Sequence, residues 1–209
     1  MTDQVDVNHV RNVLAVVLAA GGGSRFAGPG HKLLAERDGR SVVENAVAVA
    51  REALGDVLVV TGAVQLPSAV TAMSGVRVVH NPRWAAGQAT SLATAIELAN
   101  GDGAGDDAID AVVVGLGDQP DITPESWRRV AASTAPIAIA TYDGRRRNPV
   151  RLHRSIWQLL PNTGDEGARA LTRLRADLVE EVPCNGSPGG IDTLEDLLRW
   201  QSKSSTNSR

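Results

Sequence analysis

The 209-residue sequence predicts a three-layer αβα domain with a mainly parallel sheet. Two observations carry this prediction: short β-branched or small apolar runs recur along the chain, and amphipathic stretches with helix start signals lie between them. A third is size and composition, since 43% hydrophobic and 22% charged residues over this length suit one globular domain.

In chain order, residues 1–12 are polar and read as a tail ahead of a domain over 13–200. The first buried strand is expected at 13–18. Ser41 with Glu44 three residues later is a capping-box pattern, opening a helix that ends near Leu54 with Gly55 as its stop. Strands follow at 57–61 and 76–80, then a helix at 90–100. Residues 101–110 (GDGAGDDAID) read as a solvated loop, because no glutamate closes the spacing a calcium loop requires. A strand at 111–115 precedes a helix capped by Thr123, with Pro124 in its first turn and its body at 127–133. A strand at 136–141 leads into an arginine-rich hairpin or excursion over 142–152. A last helix covers 192–200, and the polar residues 201–209 read as a disordered tail.

Composition removes several function classes. The formal charge of −3 argues against nonspecific nucleic-acid binding. No apolar run reaches the roughly 18 residues of a membrane span, and no basic segment leads into a secretory apolar region. Cys184 is the single cysteine, which excludes an intramolecular disulfide and a multi-thiolate metal site. A cytoplasmic enzyme is the expectation.

Lysine is scarce. Of 21 basic residues only Lys32 and Lys203 are lysines, so the domain body holds one. Lys32 follows a glycine cluster, Gly21-Gly22-Gly23-Ser24-Arg25, at the end of the first strand. Adjacent glycines there let backbone N–H groups form an anion-binding nest at the edge where open α/β sheets bind ligands, with Arg25 and Lys32 adding positive charge. Tight-turn geometry alone is the alternative. Neither familiar phosphate motif is met: no Gly-x-x-x-x-Gly-Lys-Ser/Thr exists, and Phe26 stands where the dinucleotide fingerprint needs glycine. Asp118, in Gly117-Asp118-Gln119-Pro120, follows another strand and suits a magnesium ligand or a turn. Asp192, just before the last helix, suits a ligand or, like Thr193, a helix cap.

These segments resemble the MobA-like nucleotidyltransferases, with molybdenum cofactor cytidylyltransferase the nearest likeness. The resemblance starts with residues 16–34 (VVLAAGGGSRFAGPGHKLL) and continues through 81–92 (NPRWAAGQATSL) and 117–120 (GDQP). It extends to 147–150 (RNPV), 164–169 (GDEGAR) and 191–196 (IDTLED), so it spans about 14–200.

The resemblance implies a Rossmann-like nucleotidyltransferase fold that transfers CMP from CTP to the phosphate of molybdenum-loaded molybdopterin, releasing pyrophosphate. Leu18, Ala19, Ala20, Gly21, Gly22 and Gly23 would form the nucleotide-holding segment, with Ala20 marking the cytidine users. Arg25 and Lys32 would neutralise the triphosphate. Gly87, Thr90 and Ser91 would border base and ribose, although Thr90 and Ser91 can also start a helix. Asp118 and Asp192 would hold Mg²⁺. Arg147, Asn148, Arg151 and Arg169 would face the acceptor; Asn148 replaces the family's usual His, and Arg169 alternatively makes a helix-start salt bridge. His31 stands where many relatives carry Asp or Asn. Contact with a molybdenum hydroxylase apoenzyme is a further expectation of the resemblance, with no membrane or nucleic-acid partner.

Chemistry of this kind needs alignment and charge stabilisation rather than a side-chain nucleophile, and no Ser-His-Asp or Cys-His set is present. The rivals are a guanylyl or sugar-phosphate nucleotidyltransferase and a non-catalytic cofactor carrier. A nicotinamide oxidoreductase is opposed by the broken fingerprint. Trp84, Trp127 and Trp157 read as packing residues, Trp84 with a second reading as a pterin wall. Cys184 reads as packing.

Overall fold

The computed structural model describes residues 12–102, 105 and 108–203. Seven strands form one sheet in the order β5-β4-β1-β6-β8-β7-β9, with β1 Val13–Ala19, β4 Val57–Thr61, β5 Val76–His80, β6 Ala111–Leu116, β7 Ile137–Tyr142, β8 Arg145–His153 and β9 Val179–Pro183. A two-residue pair, β2 Glu36–Arg37 and β3 Arg40–Ser41, stands apart. The helices are α1 Val42–Leu54, α2 Ser68–Thr71, α3 Gln88–Gly101, α4 Pro124–Ala131, α5 Ala168–Leu174 and α6 Leu194–Ser202. All pairings within the seven-stranded sheet are parallel except those of β8, which runs against both β6 and β7. The predicted mainly parallel three-layer fold is what forms.

Sequence alternation builds the layers. Along β1, Ala15, Val17 and Ala19 pack with Val43, Val47 and Trp127 on one face of the sheet, while Leu14, Val16 and Leu18 pack with Leu92, Ile96 and Trp157 on the other. A strand buried on both faces is apolar at every position, which explains its continuous run of small and branched residues. Ser41 accepts from the Glu44 N–H to start α1, and Gly55, at φ +84, ends it. Thr123 caps α4 with Pro124 in its first turn.

Strand order places the site. The chain moves outward from β1 to β4 and β5, then returns through α3 to lay β6 on the opposite side of β1. Its direction of winding reverses between β1 and β6, so their carboxyl ends open a crevice.

The arginine-rich excursion is the β7–β8 hairpin, turned by Asp143 and Gly144 at φ +50 and +71, the left-handed values a two-residue hairpin turn requires. Four elements were not anticipated: α2, β9, α5 and the β2–β3 pair. Gln201 and Ser202, expected in the tail, complete α6 instead. Gln201 donates to the Glu36 carbonyl at 2.6 Å, and Lys203 pairs with Asp121 at 2.6 Å. The expected tails otherwise fall at 1–11 and 204–209, outside the described residues, as do 103–104 and 106–107 of the glycine–aspartate loop. Among the described residues no helix is long and apolar enough to cross a membrane.

Candidate active site

The crevice between β1 and β6 is a cleft of about 1130 Å³. One wall is the loop after β1, where Ala20, Gly21, Gly22 and Gly23 all line the space, with Leu18 and Ala19 at its floor. Among the described residues, no other part of the chain occupies the N–H groups of Gly21, Gly22, Gly23 or Ser24. This is the donor-rich, side-chain-free edge an anion nest needs. The loop then returns through Gly30, at φ +72, into a short 3₁₀ turn, Lys32–Leu34, capped by His31.

That turn delivers Lys32 to the centre of the cleft. Its Nζ donates to Asp118 Oδ2 at 2.6 Å and to Asp192 Oδ1 at 2.9 Å. Arg25, itself largely exposed, reaches the same Asp192 oxygen at 3.1 Å. Burial works to lower the Lys32 pKa, but the charge and hydrogen bonds of Asp118, then those of Asp192, outweigh it and hold the amine protonated above its ordinary value. Asp118 stands on the turn after β6, and the Ile191 N–H donates to the Asp118 carbonyl at 2.9 Å, locking the two aspartate loops together.

The cap of the last helix is Thr193 and not Asp192. Thr193 caps α6 in a reciprocal box with Asp196, leaving Asp192 to face Lys32 and Arg25. Asp118 Oδ1 is buried with no hydrogen-bond partner among the described residues. A buried carboxylate oxygen without a donor suits a cation. Among the described residues no group of three or more His, Cys, Asp or Glu could hold a metal. Two carboxylates still fit a hard ion such as Mg²⁺, which takes one or two of them together with substrate phosphates.

The far wall carries Arg147 from β8 and Arg169 from α5, with Asp165 between the glycine-rich turns. Among the described residues neither arginine has an ion-pair partner, so the helix-start salt bridge for Arg169 is not made there; Glu166 pairs with Arg173 instead. Asn148 and Pro149 stand outside the β7–β8 ladder, which pairs Ile139 with Val150 and Ala140 with Arg147. Asn148 donates to Gln119 Oε1 at 2.7 Å, and Gln119 donates to the Pro188 carbonyl at 2.9 Å. Asn148 therefore ties together the segments bearing Asp118, Arg147 and Asp192 from just behind the lining.

Two expected site residues lie elsewhere. Arg151 pairs with Ala138, two positions along β7 from the Ala140 that faces Arg147, so it sits about 7 Å further down the sheet. There it pairs across with Val113 and Ala138, buries its side chain and donates to the Ala135 carbonyl at 2.7 Å. Thr90 is 1% exposed, and its hydroxyl is engaged by Arg83, Gly87 and Asn81. Gly87 and Ser91 do line the cleft.

Several contributors were not singled out as site residues. Asn81, fully buried, bonds Thr90 and Ser91 at the start of α3. Gln88, Gln119 and Asp165 line the cleft, and all four sit inside the motif blocks that drew attention to their neighbours. Trp84 also lines it, lying so close to the loops after β1 and β4 that a Cβ on Gly62 would stand 2.5 Å from its own, and one on Gly22 3.2 Å from its ring.

The model of the MobA-like NTP transferase domain matches residues 15–182. A nucleotidyl transferase from Methanothermobacter thermautotroptrophicus superposes with TM-score 0.77 at 26% identity, covering 94% of this chain and 99% of its own. The Rv0371c protein of Mycobacterium tuberculosis superposes with TM-score 0.71 at 27% identity, covering 92% and 99%, and a second structure of it contains manganese. A CMP:2-keto-3-deoxy-manno-octonic acid synthetase complexed with CTP, 17% identical, shares the fold with TM-score 0.64 over 93% of this chain and 98% of its own. No curated protein matches the chain in sequence. With the match spanning β1 to β9 and the glycine loop, Lys32 and Asp118 all inside it, this chain belongs to the MobA-like NTP transferase family.

Proposed function

We propose that the chain is a magnesium-dependent cytidylyltransferase that transfers CMP from CTP to the phosphate of molybdenum-loaded molybdopterin, releasing pyrophosphate. The observation that carries nucleotidyl transfer is the Lys32 amine held between Asp118 and Asp192, beside the unpartnered Asp118 Oδ1 and facing the glycine loop. The cytidine and molybdopterin assignments are supported by the Leu18-Ala19-Ala20-Gly21 segment and the late motif blocks.

In this reading an oxygen of the acceptor phosphate attacks the α-phosphorus, the bond to the bridging α–β oxygen breaks, and its electrons leave with pyrophosphate. The acceptor is already an anion, so no general base is needed. The N–H groups of Gly21, Gly22 and Gly23 hold the polyphosphate, and Lys32 and Arg25 offset charge growing on the leaving group. Arg147 and Arg169, without carboxylate partners among the described residues, receive the acceptor phosphate from the far wall. Asp118 and Asp192 would hold Mg²⁺, whose contribution is to polarise phosphate oxygens. Manganese in the Rv0371c structure supports a divalent ion.

The test is pyrophosphate release with Mg²⁺ and each of CTP, GTP, ATP and UTP, with and without molybdenum-loaded molybdopterin. Release with CTP and the pterin together is expected. Release with another nucleotide would overturn the cytidine assignment, and tight pterin binding without turnover would favour a carrier.

A further inference from the structure

One side chain beside the glycine loop has no part in the chemistry above. The Leu33 N–H donates to His31 Nδ1 at 3.3 Å, and the other ring nitrogen, Nε2, lies 3.0 Å from the Gly21 carbonyl oxygen. A nitrogen that accepts from a backbone N–H carries no proton, so the neutral ring holds its hydrogen on Nε2 and donates it to Gly21. The imidazole thus spans from the first glycine of the nest to the turn that carries Lys32. The loop passes close over it: a Cβ on Gly23 would stand 3.3 Å from His31 Nε2 and 3.5 Å from Lys32 Cγ.

The peptide bond converts this contact into a statement about the nest. In a planar trans peptide the carbonyl of one residue and the N–H of the next point in opposite directions. Anchoring the Gly21 carbonyl on His31 therefore sets the direction of the Gly22 N–H. It also holds a partially negative oxygen away from a site built for anions.

We propose that His31 is a positioning residue for polyphosphate binding, fixing the Gly21–Gly22 peptide and the Lys32 turn in one arrangement so that the loop's N–H groups and the Lys32 amine engage the phosphates together. This rests on the nucleotidyl-transfer reading above and adds a residue to it. Burial first, and then the charge of Lys32, lower the His31 pKa against the opposing effect of the Gly21 bond, which favours the neutral ring the geometry requires. Asparagine at this position would keep an acceptor for the turn but give up the distal ring nitrogen. His31→Asn therefore separates the cap from the loop contact.

The experiment is calorimetric titration of wild type, His31→Asn and His31→Ala with inorganic tripolyphosphate, CTP and CMP, each with Mg²⁺, alongside thermal unfolding. A net hydrogen bond is worth about 0.5–1.5 kcal/mol, or about 2- to 12-fold in affinity. His31→Asn is expected to weaken tripolyphosphate and CTP by roughly fivefold while CMP changes less than about twofold. His31→Ala loses more, because the Lys32 turn also loses its cap. Wild-type affinity for tripolyphosphate in His31→Asn would overturn the proposal, and so would an equal loss for all three ligands that tracks a lower Tm. Failure of the wild type to bind either tripolyphosphate or CTP would instead remove the nucleotidyl-transfer reading, and this proposal with it.

Discussion

Replacing Lys32 with methionine keeps most of the apolar stem and removes the amine that two aspartates share. The amine makes charged hydrogen bonds at 2.6 and 2.9 Å to side chains 19% and 35% exposed. Such bonds contribute about 1.5–3 kcal/mol each when sheltered, and solvent at Asp192 pulls its share well below that. A combined loss of about 2–3 kcal/mol follows, or roughly 4–12 °C in Tm for a chain of this size. Because the native Lys32 pKa is raised, its stabilisation is complete below the ordinary lysine value of 10.5 and fades only as pH rises through the higher native value. On the lysine's account the gap between the proteins is therefore flat from pH 7 to 9. The variant also leaves two carboxylates facing each other, so millimolar Mg²⁺ should restore part of its Tm while barely moving the wild type. Differential scanning fluorimetry with and without Mg²⁺ measures both effects. A variant as stable as wild type and indifferent to Mg²⁺ would refute the claim that Lys32 neutralises this carboxylate pair.

Three further outcomes follow from the geometry. Gly87, at φ +105, faces Gly164 so closely that a Cβ would collide with its carbonyl; Gly87→Ala should lose about 2 kcal/mol or more in thermal unfolding and open residues 161–167 to proteolysis, and an unchanged Tm contradicts the packing. The Asp196 carboxylate is held below its ordinary pKa by the Thr193 hydroxyl, against burial, and by the N–H groups of Asp192 and Thr193, so it stabilises above 3.8 and the effect is lost as pH falls through the lowered native value. Asp196→Ala should therefore reduce Tm at pH 7 by an amount worth about 1 kcal/mol, with the difference closing below pH 4; a gap that persists in acid refutes the capping account. Trp84 lines the cleft whereas Trp127, Trp157 and Trp200 are 3%, 6% and 3% exposed, so ligand-dependent tryptophan emission should vanish in Trp84→Phe, and its survival would place the ligand elsewhere.

What could be read from the sequence follows from burial and charge. Strands covered on both faces must be apolar throughout, so β1, β4 and β6 announced themselves. Lys32 stood out because arginine fills almost every other basic position, and the two aspartates because each closes a strand or opens a helix. The opposite conditions hid the rest. β9 is an edge strand whose Glu180 and Glu181 are exposed, so it has no apolar run to show. Arg151 was misplaced because a local arginine cluster does not reveal strand direction, and on the antiparallel β8 each residue steps away from the cleft. Thr90 looked available until Asn81, nine residues earlier, proved to engage its hydroxyl. The bonds from Asn148 to Gln119 and from Gln119 to Pro188 cross 29 and 69 residues and exist only once the sheet has assembled.

In the proposed function this cleft passes a nucleotide's α-phosphate, with its nucleoside, to a phosphorylated acceptor. The direct test incubates the protein with Mg²⁺, molybdenum-loaded molybdopterin and CTP labelled at either the α- or the γ-phosphate, beside an Asp118→Ala control. The account predicts that α-label moves onto the pterin in one-to-one step with γ-label leaving as pyrophosphate, and that both stop in the control. Label leaving as orthophosphate, or transfer undiminished by Asp118→Ala, would contradict it.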